Sequence, residues 1–245
     1  MNRQVIVSGG GTGMGLAIAG RFARAGDDVV TLGRRESVLA DAAASLNEEV
    51  GRSAVRFFPV DLTDPAAVGE LTDRLPPVVD VLVNNAGGVR GGADETLQQV
   101  AEAFFENLAT NFVSAVLLTT LVRPKLRDGS RVINLGSIAG LRAGGGAYGA
   151  AKAALIGWTY SLAAELGPEG VTANVVAPGY VTETEFFGET MTVERHGRLV
   201  AETMTGRPST PADVAAAVFY LASPEAAQVT GQVLQVNGGA LVGRG

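Results

Sequence analysis

Short, uninterrupted apolar runs alternate along the chain with longer stretches in which apolar positions recur every three or four residues. The short runs are 4–8, 28–32, 54–60, 79–84, 131–135, 171–176 and 232–236. They do not alternate polar with apolar positions, so they read as strands buried on both faces. The longer stretches, 14–25, 37–49, 65–74, 97–126, 147–166 and 211–221, carry the helical period. Repeated strand–helix–strand order predicts an α/β fold, a Rossmann-like doubly wound parallel sheet of about seven strands with helices on both faces. With no linker or repeat in the pattern, residues 1–245 are expected to form a single domain. Two segments break the alternation. One is the glycine-rich run 142–146. The other, 182–207, is expected to be irregular and lid-like, because ligands of doubly wound sheets sit beyond the carboxyl ends of the strands.

Composition narrows the possible chemistry. The net charge of −6 argues against nucleic acid as a partner, and no basic run suggests an anionic membrane surface. With no cysteine, disulfides, thiolate catalysis and Cys-ligated metals are excluded, and a reducing, cytoplasmic setting fits. The N-terminus runs directly into a strand pattern too short for a signal peptide. The most apolar helical stretch, 113–122, is shorter than a membrane span.

Between the first strand and first helix lies Ser8-Gly9-Gly10-Gly11-Thr12-Gly13-Met14-Gly15. Glycines there permit a tight turn and close helix–sheet packing, and a helix N-terminus presents free N–H groups to a pyrophosphate. The second strand runs out into Gly33-Arg34-Arg35 with no carboxylate at its tip. Guanidinium forks suit a 2′-phosphate, which favours NADP(H), with NAD(H) also possible.

Tyr148 and Lys152 stand four residues apart in a helical pattern and so share a helix face. An ammonium beside the phenol is expected to lower its pKa and make it a tunable proton donor. Ser137 ends a strand upstream, where its hydroxyl can hold a carbonyl oxygen or cap a turn.

Together these motifs make the chain resemble the classical short-chain dehydrogenases/reductases over essentially its whole length. Gly9, Gly13 and Gly15 match the family's glycine loop, with Ser8 where threonine is usual. Asp61-Leu62 matches the adenine-flanking pair, Asn84-Asn85-Ala86-Gly87 the run after the fourth strand, and Pro178-Gly179 the turn beside the nicotinamide. Asn111, Ser137, Tyr148 and Lys152 match the catalytic positions, and Asn237-Gly238-Gly239 the C-terminal tail.

The resemblance implies the following roles. Ser8, Gly9, Gly11, Thr12, Gly13, Met14 and Gly15 hold the pyrophosphate, and Arg34 and Arg35 the 2′-phosphate. Asp61, Leu62, Asn85, Ala86 and Gly87 flank the adenosine and ribose. Pro178, Gly179, Val181 and a threonine hold the carboxamide; Thr182 and Thr184 are both candidates, and Thr182 is taken. Tyr148 donates a proton, Ser137 orients the substrate oxygen, Lys152 holds the nicotinamide ribose, and Asn111 holds a water that links Lys152 to solvent.

The expected activity is NADP(H)-dependent reduction of a ketone or 3-oxoacyl carbonyl, without a metal. The alternatives are dehydrogenation of a secondary alcohol, polyol or sugar, and a non-catalytic cofactor sensor. Resemblance also implies a homo-oligomer, a tetramer or dimer, through the long helices. The interval from Ser137 to Tyr148 is short for the family and is filled by Gly144-Gly145-Gly146. Phe186, Phe187 and Met191 are candidates for an apolar substrate wall or for pinning the lid. His196, the only histidine, is taken as a solvated lid residue, and Asp213 as support for a helix N-terminus.

Overall fold

The computed structural model describes residues 2–91, 96–186, 188 and 191–243. The strands are β1 (Gln4–Ser8), β2 (Asp28–Gly33), β3 (Val55–Pro59), β4 (Val81–Asn84), β5 (Arg131–Leu135), β6 (Thr172–Pro178) and β7 (Val233–Val236). They form one seven-stranded sheet in the order β3-β2-β1-β4-β5-β6-β7, and every adjacent pair is parallel. In β1 the pleat sends Val5 and Val7 to one face and Ile6 to the other, and all three are buried. An apolar core on each side is why the strands read as continuous apolar runs.

The helices are α1 (Gly13–Arg24), α2 (Glu36–Val50), α3 (Pro65–Gly69), α4 (Leu97–Leu108), α5 (Ser114–Val122), α6 (Gly146–Leu166), α7 (Val193–Ala201) and α8 (Pro211–Leu221). Ile18 and Phe22 of α1, Ala43 and Leu46 of α2, and Val214 and Val218 of α8 fill the core on one face. Val68 of α3, Leu118 and Val122 of α5, and Leu162 and Leu166 of α6 fill the other.

Four expectations need correction. The helix expected over 65–74 stops at Gly69 and continues as turns that still bury Leu71 and Leu75. The stretch 97–126 is not one uniform helix. It widens into a π turn at Ala109–Val113 and tightens to a 3-10 turn at Arg123–Lys125. Taken as one body, Leu97–Lys125 spans 29 residues and contains an 18-residue window with a mean hydropathy of 1.3, long and apolar enough by composition to cross a membrane, so the expectation from 113–122 alone was too narrow. Here its α5 part packs against β4 and its α4 part against α6. Finally, the segment 182–207 is not irregular throughout, because it contains α7. Thr192 caps that helix by accepting a hydrogen bond from the Arg195 N–H at 3.1 Å. Gly197 in mid-helix and exposure along much of its length weaken the apolar pattern that would have revealed it.

A buried polar chain ties α6 to the sheet. Asn84 and Asn134 are register partners on β4 and β5. The Asn84 amide donates to Thr119 Oγ1 at 2.9 Å and to Asn134 Oδ1 at 2.8 Å, and Asn134 Nδ2 donates to Thr159 Oγ1 of α6 at 2.9 Å. Such a network has one good arrangement, so it fixes how α6 sits over β5.

Candidate active site

Strand order reverses between β1 and β4, so their carboxyl ends diverge and open a crevice there. The loop leaving β1 is held in a single shape. Gly9 N–H donates to Leu32 O at 2.7 Å, and its φ of +67° is a left-handed conformation that glycine adopts without strain. A Cβ on Gly15 would run into the Gly9 carbonyl, so that glycine is what lets α1 approach the loop.

Asn85 Nδ2 donates to the carbonyls of Ser8 at 2.9 Å and Gly9 at 3.2 Å. Ser8 Oγ accepts from the N–H groups of Asn85 and Ala86, both at 2.9 Å. Ser8 is buried, and its hydroxyl therefore shapes the loop from inside. Thr12 precedes α1 in extended conformation without a side-chain cap, and the first turn carries no acidic residue. The helix N-terminus is thus a site suited to an anion.

The resulting cleft has a volume of about 610 Å³, within the range of small-molecule and cofactor sites. Gly9, Gly11, Thr12, Gly13, Met14 and Gly15 line it on one side, Arg34, Arg35, Asp61 and Leu62 at the far end, and Asn85, Ala86 and Gly87 beyond β4. Asp61 accepts from the Thr63 N–H at 2.9 Å and hydroxyl at 2.7 Å. Those bonds, helped by the Arg34 and Arg90 guanidinium groups, hold its carboxyl below the usual range. Arg34 makes no ion pair among the described residues, whereas Arg35 Nη2 pairs with Glu185 Oε2 at 2.9 Å.

A second group of side chains converges where β5 ends. Ser137 Oγ accepts from Ala139 N–H at 3.1 Å, capping the turn Ile138–Gly140, and hydrogen-bonds Tyr148. A Cβ on Gly145 or Gly149 would lie 2.5 Å or 2.6 Å from the Ala139 carbonyl, so both glycines let this turn press against the start of α6. That close approach is how the short interval between Ser137 and Tyr148 still brings the two hydroxyls together. Lys152 is buried, donates from Nζ to Leu135 O at 2.7 Å, and lies 5.7 Å from the centre of the Tyr148 ring. A Cβ on Gly87 would lie 2.5 Å from Asn111 Oδ1 and 3.4 Å from Lys152 Nζ, so the cleft wall meets Asn111 and Lys152 at this bare backbone.

The electrostatics correct one expectation. Burial pushes the Tyr148 phenol up to about 12, and only its bond to Ser137 opposes this. Burial also pushes Lys152 down to about 8. The anticipated lowering of Tyr148 by the ammonium is absent, since Nζ is engaged by the Leu135 carbonyl and stands over the ring. Desolvation outweighs the neighbouring charge.

Asn111 has a structural task besides the expected one. Its amide forms a two-way clamp on Gly88, accepting from N–H at 2.9 Å and donating to the carbonyl at 2.8 Å. Asn107, one turn earlier, clamps Arg90 in the same way at 3.2 Å and 2.9 Å. The sequence reading missed Asn107; two asparagines four apart on one helix face were the available signal.

Beyond β6, the bare Gly179 accommodates Asn237, which lies 2.7 Å from where a Cβ would be. The bridge between Val181 and Ser209 runs through Thr182 N–H to Ser209 O and Ser209 N–H to Tyr180 O, both at 3.0 Å. Thr182 turns its hydroxyl to Ser209 O at 3.3 Å, while Thr184 lines the cleft beside Gly13. Of the two candidate threonines, Thr184 is the one that lines this cleft.

A family model described as enoyl-(acyl carrier protein) reductase matches residues 9–240. The 3-oxoacyl-[acyl-carrier-protein] reductase FabG of Vibrio cholerae is 37% identical over 244 residues, 96% of this chain and 95% of that protein. The chain belongs to the short-chain dehydrogenase/reductase family. Among solved structures of similar fold, a short chain dehydrogenase from Burkholderia cenocepacia in complex with NADP has a TM-score of 0.86 and 32% identity, covering 97% of each chain. The RhlG/NADP active-site complex of Pseudomonas aeruginosa has a TM-score of 0.88 and 31% identity, covering 98% of this chain and 96% of that one.

In this dehydrogenase/reductase, Thr184, Glu185 and Phe186, which follow β6, line the cleft. Phe186 sets its ring against Tyr148 with centroids 5.5 Å apart. Phe187 lies outside the described residues. His196 is exposed but not merely solvated, since Tyr180 Oη and His196 Nδ1 are 2.8 Å apart and so fasten α7 to the body. Asp213 completes a capping box with Thr210 and pairs with Arg207 at 2.7 Å, as expected of a residue supporting a helix N-terminus.

Proposed function

We propose that this chain is an NADP(H)-dependent reductase that turns a ketone, of the 3-oxoacyl type, into a secondary alcohol. The observation that carries it is the half-buried Ser137–Tyr148 hydroxyl pair, set behind a glycine-walled cleft that ends in two arginines. The cleft suits a dinucleotide by its chemistry: glycines whose Cβ would fill the cradle, an uncapped helix N-terminus, and guanidinium donors at the far end. Support for NADP also comes from the two solved relatives that hold it.

When bound, the dinucleotide supplies the hydride for the carbonyl carbon. The residues of this chain do the rest. Tyr148 Oη gives its proton to the carbonyl oxygen as negative charge develops there. Ser137 Oγ holds the same oxygen and fixes its direction. A phenol at about 12 stays protonated across the physiological range, which suits a proton donor and the reductive direction. Lys152 holds the ribose hydroxyls, and Asn111 fixes the strand-like segment beside it. The loop Ser8–Gly15 and Met14 carry the pyrophosphate, Arg34 and Arg35 the 2′-phosphate, and Asp61 with Leu62 the adenine. Asn85, Ala86 and Gly87 wall the ribose side, and Pro178, Gly179, Val181 and Thr184 face the carboxamide. The chain works as one domain with 182–207 as its lid. It assembles in the cytoplasm as a homo-oligomer, a tetramer or dimer, burying exposed residues of its long helices such as Leu97 and Phe105.

The description of the matching family favours a second reaction, reduction of an enoyl thioester. One assay separates them: oxidation of NADPH and of NADH with a 3-oxoacyl thioester, an enoyl thioester and simple ketones. The expected result is fastest turnover of the 3-oxoacyl thioester with NADPH. Turnover of the enoyl thioester alone would overturn carbonyl reduction, and faster turnover with NADH would overturn the cofactor assignment.

A further inference from the structure

Three consecutive residues after β6 touch three working parts of the site. Thr184 lies against Gly13 of the phosphate loop, Glu185 pairs with Arg35, and Phe186 packs on Tyr148. Of these contacts, the middle one joins two charges. Arg35 Nη2 and Glu185 Oε2 are 2.9 Å apart, and both side chains are more than half exposed, at 58% and 63%. They come from opposite sides of the cleft, 150 residues apart in sequence. Both line the same cleft as Arg34 and Asp61.

From this geometry we propose that Glu185 is a cofactor-specificity residue: its carboxylate occupies Arg35 in place of the 2′-phosphate and must be displaced when that phosphate binds. The proposal rests on the NADP(H) assignment above and adds to it a built-in competitor. An exposed, single-bonded ion pair contributes little, so a dianionic phosphate with three acceptor oxygens displaces it readily. A free ribose 2′-hydroxyl has no charge with which to do so. Glu185 therefore weakens binding of the phosphorylated cofactor and leaves the unphosphorylated one nearly untouched. It lowers discrimination between the two, while Arg34, with no ion pair among the described residues, keeps its full pull.

Calorimetric titration of the full chain with 2′,5′-ADP and with 5′-ADP at low salt tests this without turnover. The quantity is the affinity ratio of the first nucleotide to the second. Glu185→Gln is expected to raise the ratio about two- to five-fold, the scale of an exposed ion pair, by tightening 2′,5′-ADP alone. Glu185→Asp, which keeps the charge, should stay near wild type. In an Arg35→Gln background, Glu185→Gln should lose most of its effect. An unchanged ratio in Glu185→Gln, an equal change for both nucleotides, or an undiminished shift without Arg35 would overturn the proposal. The wild-type ratio is a separate readout: a value near one contradicts the NADP(H) assignment, whereas the change made by Glu185→Gln still decides the role of Glu185.

Discussion

The two ends of the cleft are built on opposite electrostatic plans. At the end beyond β2, Arg34, Arg35 and Glu185 are exposed, and Arg35 and Glu185 pair directly in contact with solvent. At the other end, beyond β5, Lys152 is buried, its ammonium held by a backbone carbonyl, and the Tyr148 phenol lies half-buried beside it. Where water remains, hydrogen bonds and neighbouring charge set the protonation state, as the Thr63 bonds, helped by Arg34 and Arg90, lower Asp61. Where water is gone, desolvation sets it, and both catalytic groups move toward their neutral forms. On the proposed function, one end would select a ligand by charge at small energetic cost, and the other would store a cost in order to keep a proton in place.

That contrast can be broken by substitution, most severely where backbone meets backbone. Gly15→Ala places a methyl group against the Gly9 carbonyl and within 2.5 Å of Asn85 Nδ2. Relieving it must shift the phosphate loop, at about 1–3 kcal/mol for overpacking. Dinucleotide affinity by calorimetry should fall at least ten-fold while the far-UV spectrum stays unchanged; wild-type affinity would mean that the loop is not held as described.

Lys152→Met tests the buried end. The folded value of Lys152 lies near 8, below its ordinary 10.5, so between those pH values the unfolded chain binds more protons. Wild-type stability should therefore rise with pH across that window, by roughly 3 kcal/mol at most, until titration of Tyr148 opposes it above about 10. In Lys152→Met, denaturant midpoints should be flat from pH 8 to 10. A wild-type slope retained by the variant would assign it to other groups.

At the exposed end the changes are smaller. Arg34→Asp should weaken NADPH binding about ten-fold and NADH binding far less, since one charge-assisted contact of roughly 1.5 kcal/mol is lost. Equal weakening of both would remove Arg34 from the phosphate site. Smaller still is Arg142→Ala. Its pair with Glu202 at 2.8 Å is about one-third exposed on both sides, so thermal stability should shift by less than about 1 kcal/mol.

The same contrast explains what could be read from the sequence. Strands between two apolar cores leave unbroken runs, so β1 and β5 begin and end where the pattern places them. Glycines that turn or bare the backbone sit in fixed order, and with Ser137, Tyr148 and Lys152 they make the site legible before any coordinates. Side-chain direction was not legible. Thr182 and Thr184 are two residues apart, and only the bridge to Ser209 decides which faces the cleft. Nor does a motif report desolvation, which reverses the expected shift of Tyr148, or reveal that Asn111 spends its amide on Gly88. Glu185 lay hidden because its partner is 150 residues away.

The central claim is that the Tyr148 hydroxyl, paired with Ser137 behind the cofactor cleft, delivers the proton. It is tested most directly by comparing wild type with Tyr148→Phe for NADPH oxidation by a 3-oxoacyl thioester, alongside NADPH affinity. The account predicts a loss of at least a hundred-fold in kcat, the scale of general acid catalysis, with the affinity for NADPH changed less than about two-fold. A variant that turns over at the wild-type rate would contradict it.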